Sequence, residues 1–539
     1  MKTLKTVFIS VVGICLCGHG GQIAWAQESE QTGGVVSKAE YLARNFQKAV
    51  KSKQDALVVK VADEIFDQQV QQKFTPGFSS YFFRNSAYAY WREDQNVKAM
   101  YSAEGLIRHG SDYHRALGYR LKFYIARNNA IDKAKANEKD IEDNKTAYQG
   151  LTGFLSIVFA KDASEDASSV VIPQRYISRF LRDLKSENDL QISDSKFKVY
   201  ETLFESGYKP EGPLDTVNFW RKQYGLGLLE RGQIKQAKKI AVAITNPSIL
   251  RSIYIDKAYE PLWTISNLKS SKRVMRAFED DINRLERLVK KHPDKLQGRQ
   301  YLIKAYATIG KLDEAVKLAD KTLEDMENFD SFTDEAKYKN WIFNEIAYVY
   351  YEKGDYERGN AYMLRAASIS EDGSKGNISQ VINYTAKLLN QAEYQKALDI
   401  QGKLLSEAGA SDYGDMWIWY NQACGYYKLG KLEQSSVAMK KLVDKREKNY
   451  AAYAMSLLCQ NKIEAAARSY LVRLEDPEHR NLALEALQIS NVPKHEMPLD
   501  KILRTNLEKI RTRPDILRAV NKYGRIEAWS LSNTYWGNY

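Results

Sequence analysis

The sequence predicts an all-α protein: an α-solenoid of antiparallel helix hairpins stacked side by side. Three observations carry that expectation. One unit recurs, in which an aromatic and aliphatic run at helical spacing leads to a turn residue and then to a second amphipathic run. The clearest example goes from Trp341 through Tyr350 to Gly354, then from Tyr356 through Gly359 to Ala366. The turn residue is usually Gly, which can take the positive φ with which many helices end. Strand-like alternation is scarce, and only 11 of 539 residues are Pro. Each hairpin has an apolar face it cannot cover alone, so neighbours must stack, and at least about three are needed for stability.

Composition leaves room for such an array. Charged residues make up 27% and hydrophobic residues 44% of the chain, which excludes a disordered chain, a collagen and a disulfide mini-scaffold. The 80 Lys and Arg exceed the 68 Asp and Glu, giving a formal charge of +12. Mean hydropathy is −0.52, and after the leader no apolar run approaches the ~18 residues of a membrane span.

Residues 1–26 read as a secretory signal peptide. Lys2 and Lys5 form a basic start, Val7 to Cys17 an apolar core, and Ala24-Trp25-Ala26 a small-x-small cleavage site before Gln27. Ile14 and Leu16 stand where a bacterial lipobox carries a small residue, so Cys15 and Cys17 are not expected to be lipidated. The leader holds two cations and no acid, and its removal takes the formal charge from +12 to +10. The expected localisation is exported, in the periplasm or at the outer envelope, with a mature chain that has no transmembrane segment.

Residues 27–217 are expected to be helical with degenerate hairpins. Tyr88, Trp91 and Val97 mark one faint unit, and Leu121, Ile125, Ile131 and Ala134 another. Val170 to Pro173 form a loop entering a helix over Gln174 to Leu184. Residues 218–475 carry the clearer repeats. They begin with Tyr224, Leu228, Gly232, Ile234 and Ala237, and continue through Leu302, Tyr306, Gly310, Leu312, Ala315 and Ala319. Weaker units carry Leu388, Tyr394 and Ala397, then Tyr453, Leu457, Ile463 and Ala466. Turn positions 310, 354, 392, 430 and 461 are separated by 44, 38, 38 and 31 residues, so the array is irregular. Polar breaks at Asp162 to Ser169, Lys209 to Pro213, Ser266 to Lys272, Ser370 to Asn377 and Ala408 to Asp415 fit linkers. Residues 476–539 form a Pro-punctuated helical cap ending near Tyr523. An aromatic tail with Trp529, Tyr535 and Trp536 follows, expected to pack on the last helices or to stay loose.

The repeats resemble the tetratricopeptide repeat (TPR) family, whose unit is about 34 residues. The unit around Gly354 matches through Phe343, Ile346, Ala347, Tyr350, Gly354, Tyr356 and Ala366, and departs where Gly359 replaces a small second-helix Ala. The unit around Gly430 matches through Trp419, Ala423, Tyr426, Gly430 and Leu432, and departs at Gln422 and Ser435. The resemblance is good from about Leu296 to Leu474. It implies a TPR-like superhelix, and together with the leader the expectation is an exported bacterial TPR protein.

Only Cys424 and Cys459 follow the leader. Each sits inside a helical pattern of its own, so two buried free thiols are expected rather than one disulfide.

Catalytic patterns are missing. His495-Glu496 starts like a zinc-protease motif, but no second His follows at helical spacing and Pro498 would break the helix. His109 and His114 are five apart, off a common helical face. Gly225-Leu226-Gly227 falls within a repeat helix, where it is read as permitting close packing rather than as a phosphate loop. Paired carboxylates such as Glu279-Asp280 suit solvated helix faces. No enzyme activity, cofactor or metal is expected. Basic runs such as Lys269 to Arg276 have acids close by and lack a base-reading motif, so no nucleic acid is expected.

The expected function is therefore that of an exported, non-enzymatic scaffold binding a protein or peptide partner in the cell envelope. The alternative is an accessory to polysaccharide export or cell-wall assembly that binds an anionic or neutral glycan. In the family, first-helix positions pointing away from the second helix line the inner surface. Here those positions hold Trp341, Asn344, Tyr348 and Tyr351 in one unit, and Trp417, Tyr420, Cys424 and Tyr427 in the other. Aromatic rings with hydroxyl and amide tips suit a groove for an extended peptide, and equally offer stacking faces to sugar rings.

Overall fold

The computed structural model describes residues 37–135, 141–158, 172–183, 190–208, 214–328, 332–369, 377–405 and 410–532. The expected leader lies outside them, as do the linkers at Asp162 to Ser169 and Lys209 to Pro213 and the aromatic residues after Ser532. The chain forms two compact units, Met1–Trp220 and Arg221–Tyr539.

The first unit contains α1 (Lys38–Lys51), α2 (Asp55–Asp67), α3 (Pro76–Arg92), α4 (Asn96–His109), α5 (Asp112–Lys135), α6 (Ile141–Val158), α7 (Gln174–Asp183) and α8 (Leu190–Glu205). Ser37 and Glu40 form a capping box at the start of α1, which satisfies backbone donors that the helix leaves orphaned. Consecutive helices from α1 to α6 pack on one another around Phe46, Phe66, Phe82, Phe83 and Tyr90; the phenylalanine rings meet edge to face or tilted, and Phe66 stacks on Tyr90. The faint unit at Tyr88 and Trp91 is a hairpin of α3 and α4, turned at Asp94 with φ 60°. Its Val97, however, is 86% exposed. The second faint unit is corrected: Leu121 to Ala134 lie on the single uninterrupted helix α5, whose backbone stays helical through Asn128 and Asn129.

The second unit opens in α9 (Leu214–Glu230) and continues with α10 (Ile234–Val242), α11 (Pro247–Tyr254), two short 3₁₀ turns and α12 (Ser271–Lys291). Five hairpins follow: α13 (Leu296–Thr308) with α14 (Leu312–Asn328), α15 (Glu335–Glu352) with α16 (Tyr356–Ala367), α17 (Ile378–Asn390) with α18 (Tyr394–Leu404), α19 (Asp412–Lys428) with α20 (Leu432–Asp444), and α21 (Tyr450–Cys459) with α22 (Ile463–Glu475). Their turn residues Gly310, Gly354, Ala392, Gly430 and Asn461 all have φ between 57° and 79°. The pairing of amide donors repeats. Gly354 N–H reaches Tyr351 O and Asp355 N–H reaches Tyr350 O; Ala392 and Glu393 reach Leu389 O and Leu388 O; Asn461 and Lys462 reach Leu458 O and Leu457 O. This is the Schellman motif, which satisfies the last carbonyls of the first helix and reverses the chain in two residues. The α9–α10 turn at Gly232 is built the same way.

Between hairpins the cores are continuous. Ile303, Ala307, Ala315 and Ala319 pack with Ile342, Ile346 and Val349 of the next unit. The fold is thus an all-helical, TPR-like stack.

Past Glu475 the chain adds α23 (Pro477–Ala486), β1 (Ile489–Asn491), α24 (Pro498–Arg511), α25 (Pro514–Tyr523) and β2 (Ala528–Ser532). The expectation of an unstructured or merely packing tail is corrected here, because β2 pairs in parallel with β1. Trp529 anchors it, 2% exposed, donating to Gln488 Oε1 at 3.1 Å and meeting Tyr254 edge to face. This closing segment also grips the start of the unit. Asn481 donates to Ser252 O and to Asp256 Oδ2, and the Arg525 guanidinium lies 3.5 Å from the Trp263 ring centroid.

Candidate functional site

The inner face is built from the first helices of successive hairpins, and polar side chains lock these to one another. Asn383 of α17 donates to Asn344 Oδ1 of α15 at 2.7 Å, and Asn421 of α19 donates to Thr385 Oγ1 at 2.7 Å. Gln300 of α13 donates to Glu345 Oε1 at 3.3 Å, and Asn506 of α24 donates to Leu458 O of α21 at 2.8 Å. All are buried, where a donor left without its hydrogen bond would be costly.

Cys424 and Cys459 form a disulfide between α19 and α21, with Cα atoms 5.8 Å apart. The expectation of two free thiols is corrected. Each Cys belongs to its own helix, but stacking sets first helices one repeat apart side by side, and the separation of 35 residues brings the two sulfurs together.

The inner face is not open. Helix α24 crosses it, packing on α17, α21 and α22 with Leu499, Leu503, Leu507 and Ile510 buried. The predicted inner-face residues are placed accordingly. Asn344 sits in the amide chain. Trp417 and Tyr420 lie in the interior, edge to face at 5.8 Å. Cys424 is in the disulfide. Trp341 and Tyr427 stand half-buried at the margin. Tyr348 and Tyr351, each 3% exposed, back a small cleft completed by Glu352, Lys387, Pro493, His495, Glu496, Met497 and Asp500.

This cleft gathers charge at its rim. Lys387 Nζ lies 5.0 Å from the Tyr348 ring centroid and 5.9 Å from that of Tyr351, a cation held against π faces. Tyr351 donates to Asn360 Oδ1 at 2.9 Å, Tyr356 donates to the His495 carbonyl at 3.1 Å, and Arg504 clamps Glu496 through two hydrogen bonds. Burial pushes the Tyr348, Tyr351 and Tyr420 hydroxyls well up. Burial, joined by the charge of Asp500 and opposed by Lys387, pushes the Glu352 carboxyl up to about 7.

Lys387, Glu352 and Asp500 were missed in the sequence, where nothing distinguishes them from the many charges on solvated helix faces. His495-Glu496, read there only as a failed zinc motif, forms part of the cleft wall. His109 instead stacks on Phe83, and His114 pairs with Ser111. The reading of Gly225 as a close-packing position is corrected: a Cβ there would meet no atom within 4 Å. Among the described residues, no cluster of three or more His, Cys, Asp or Glu could hold a metal ion, and no helix is long and apolar enough to cross a membrane.

No family model matches the chain, and no curated protein matches it. Solved structures that do match include the APC/C hetero-tetramer Cut9–Hcn1, at 12% identity over 88% of this chain and 96% of that one, with a TM-score of 0.27. Naa15/Naa10 bound to HypK-THB matches at 13% identity over 90% and 80%, with a TM-score of 0.24. The TPR domain of P58(IPK) matches at 11% identity over 90% and 99%, with a TM-score of 0.16. At these scores the fold statement rests on the chain's own hairpins and their shared turn geometry.

Proposed function

We propose that this chain is an exported, non-enzymatic scaffold of the cell envelope that binds a protein or peptide partner through its hairpin stack. One observation carries the reading: residues 493–500 of the chain itself are seated against Tyr348 and Tyr351, so the inner face presents groups that accept a peptide. Backbone carbonyl recognition by a tyrosine hydroxyl, as Tyr356 gives His495, is independent of sequence and suits such a role. The buried Cys424–Cys459 disulfide supports export, since disulfides persist in oxidising compartments and are rare in the cytosol. The protein reading is favoured over the glycan reading because sugar stacking needs open ring faces, and Tyr348, Tyr351, Trp417 and Tyr420 are covered.

The test is photo-crosslinking in envelope fractions, with a photoreactive amino acid at Trp341 or Tyr427 on the margin and at Val437 on the outer side of α20 as a control. Crosslinks to the same polypeptide from both marginal positions, and not from Val437, support the reading. Adducts that vanish on glycan-lyase treatment support the glycan alternative.

A further inference from the structure

Residues 231–255 hold five cations, Arg231, Lys235, Lys238, Lys239 and Arg251, and no acid, although in the whole chain acids are almost as frequent as bases, at 68 against 80. Three of the five stand on α10. One side of that helix is pinned to its neighbours. Ala237 and Ala241 are buried at 1% exposure or less, Gln236 donates to the Tyr224 hydroxyl at 3.2 Å, and the Ala243 carbonyl just past the helix end accepts from Arg221 at 2.9 Å. The other side faces solvent. Ile234, Lys238 and Val242 follow at a spacing of four and so share a helix face, with Lys235 and Lys239 alongside. Ile234 is 43% and Val242 55% exposed, Lys235 and Lys239 are exposed, and Lys238 is half-buried. Among the described residues no carboxylate pairs with any of these three lysines, whereas Lys440 and Lys445 of the α20 region pair with Asp444 and Asp412. The flanking acids are Glu230 at the end of α9 and Glu260 on the 3₁₀ turn that packs on α10, both exposed. Asp256 is buried and accepts from Asn481.

We infer that the solvent face of α10, formed by Ile234, Lys235, Lys238, Lys239 and Val242, docks on the surface of an anionic lipid bilayer. Charge complementarity selects an anionic partner, and the kind of cation narrows it. A lysine ammonium is a hydrated point charge with no fixed geometry, which suits a diffuse layer of headgroup phosphates. Carboxylates of an acidic polypeptide are matched better by the planar fork of arginine, and this face holds no arginine. The interleaving of apolar and cationic side chains points the same way. At a bilayer interface Ile234 and Val242 enter between headgroups, while the lysine stems lie along the apolar boundary and keep their ammonium groups at the phosphates. Because the opposite side of α10 is already packed, the face is presented without a change of fold, which keeps the ordering cost of binding low. Three lysines and two aliphatic side chains supply a reversible, salt-sensitive attachment rather than an anchor. The surface belongs to a second helix, whereas the inner face is built from first helices, so contact with a bilayer does not depend on a partner at the inner face.

Co-sedimentation of the mature chain, starting at Gln27, with phosphatidylcholine vesicles that contain or lack about one-third phosphatidylglycerol tests this. The expected result is binding to the anionic vesicles only, weakening as added salt screens the headgroups. Lys235→Glu with Lys239→Glu should lower the affinity by about tenfold or more, and Ile234→Ser with Val242→Ser should weaken it several-fold at unchanged charge. Lys440→Glu with Lys441→Glu on α20 alters the net charge by the same amount and should keep the wild-type affinity, which separates this face from the overall charge. Circular dichroism checks that each variant is folded, and Lys235→Gln with Lys239→Gln serves if the charge-reversed pair is not. A wild type that ignores anionic vesicles overturns the proposal, as does a folded α10 lysine variant that binds like the wild type or an α20 variant that loses as much. Binding to soluble polyglutamate through the same lysines, with none to vesicles, would make the partner an acidic polypeptide and overturns it equally.

Discussion

The ring of Tyr351 occupies the space that a side chain at Gly359 would need: a Cβ there would stand 2.5 Å from Cδ1 and Cε1 of that ring. The tyrosine cannot swing away freely, because its hydroxyl is tied to Asn360. Gly359→Ala, a change toward the residue the repeat family carries at this position, should therefore cost about 1–3 kcal/mol through overpacking. Ala392 is the opposite case. It is exposed with φ 66°, so Ala392→Gly should raise stability by up to about 1 kcal/mol by relieving a left-handed alanine. Denaturant melts of both variants check the pair, and a stabilised Gly359→Ala would contradict the Tyr351 packing.

Turn chemistry explains why the hairpins were legible in the sequence. Gly310, Gly354 and Gly430 announce positive φ, and the apolar spacing around Ala392 and Asn461 places those turns as well, although neither residue is Gly. What single helices cannot reveal is what packs on the face they leave over. The spacing that puts Tyr348 and Tyr351 on the inner side is the same for an open groove and for one covered by the chain's own α24. Nothing local in Pro498 to Arg511 says which surface its leucines will meet. The disulfide was illegible for a related reason, since pairing Cys424 with Cys459 needs the offset between stacked units and not the pattern of either helix.

The disulfide should contribute to stability. It closes a loop of 35 residues, and removing such a constraint costs typically about 2–4 kcal/mol, with the split between unfolded-chain entropy and enthalpy dependent on the description used. Cys424→Ala with Cys459→Ala should lower the melting temperature accordingly. Adding reductant to the native wild type should do little, because both sulfurs are buried at 1% exposure or less. Thiol labelling under native and denaturing conditions distinguishes the two situations.

Tyr351 and Tyr427 share a position in their respective repeats but not an environment. Tyr351 is 3% exposed and ringed by Tyr348, Lys387 and Asn360, whereas Tyr427 is half-buried at the margin with Lys428 beside its ring. Tyr351→Ala should cost about 3–5 kcal/mol, the range for emptying a large aromatic from a core. Tyr427→Ala should cost less than about 1 kcal/mol, as expected of a site away from the core. If both cost little, α24 does not cover the inner face in solution.

Glu352 sets a pH dependence whose direction follows from its environment. Its folded-state carboxyl titrates at about 7, against a reference value of 4.5, so the native state holds the proton more tightly than the unfolded chain. The stability this proton confers is complete below about pH 4.5, declines as the pH rises, and is gone above about pH 7. Desolvation is the largest cause, and Asp500 adds to it while Lys387 opposes it, so replacing the titrating group should remove the trend at its source. Glu352→Gln keeps the shape and a hydrogen-bonding end without the charge. Its melting temperature should exceed that of the wild type at about pH 8 and approach it at about pH 4.5, with the gap opening between those values. Lys387→Met should act in the reverse sense, deepening the wild-type loss above pH 7 because the attraction that holds Glu352 down is removed. A gap between wild type and Glu352→Gln that is constant across this range would mean that Glu352 titrates as a solvated carboxylate and that the cleft does not desolvate it.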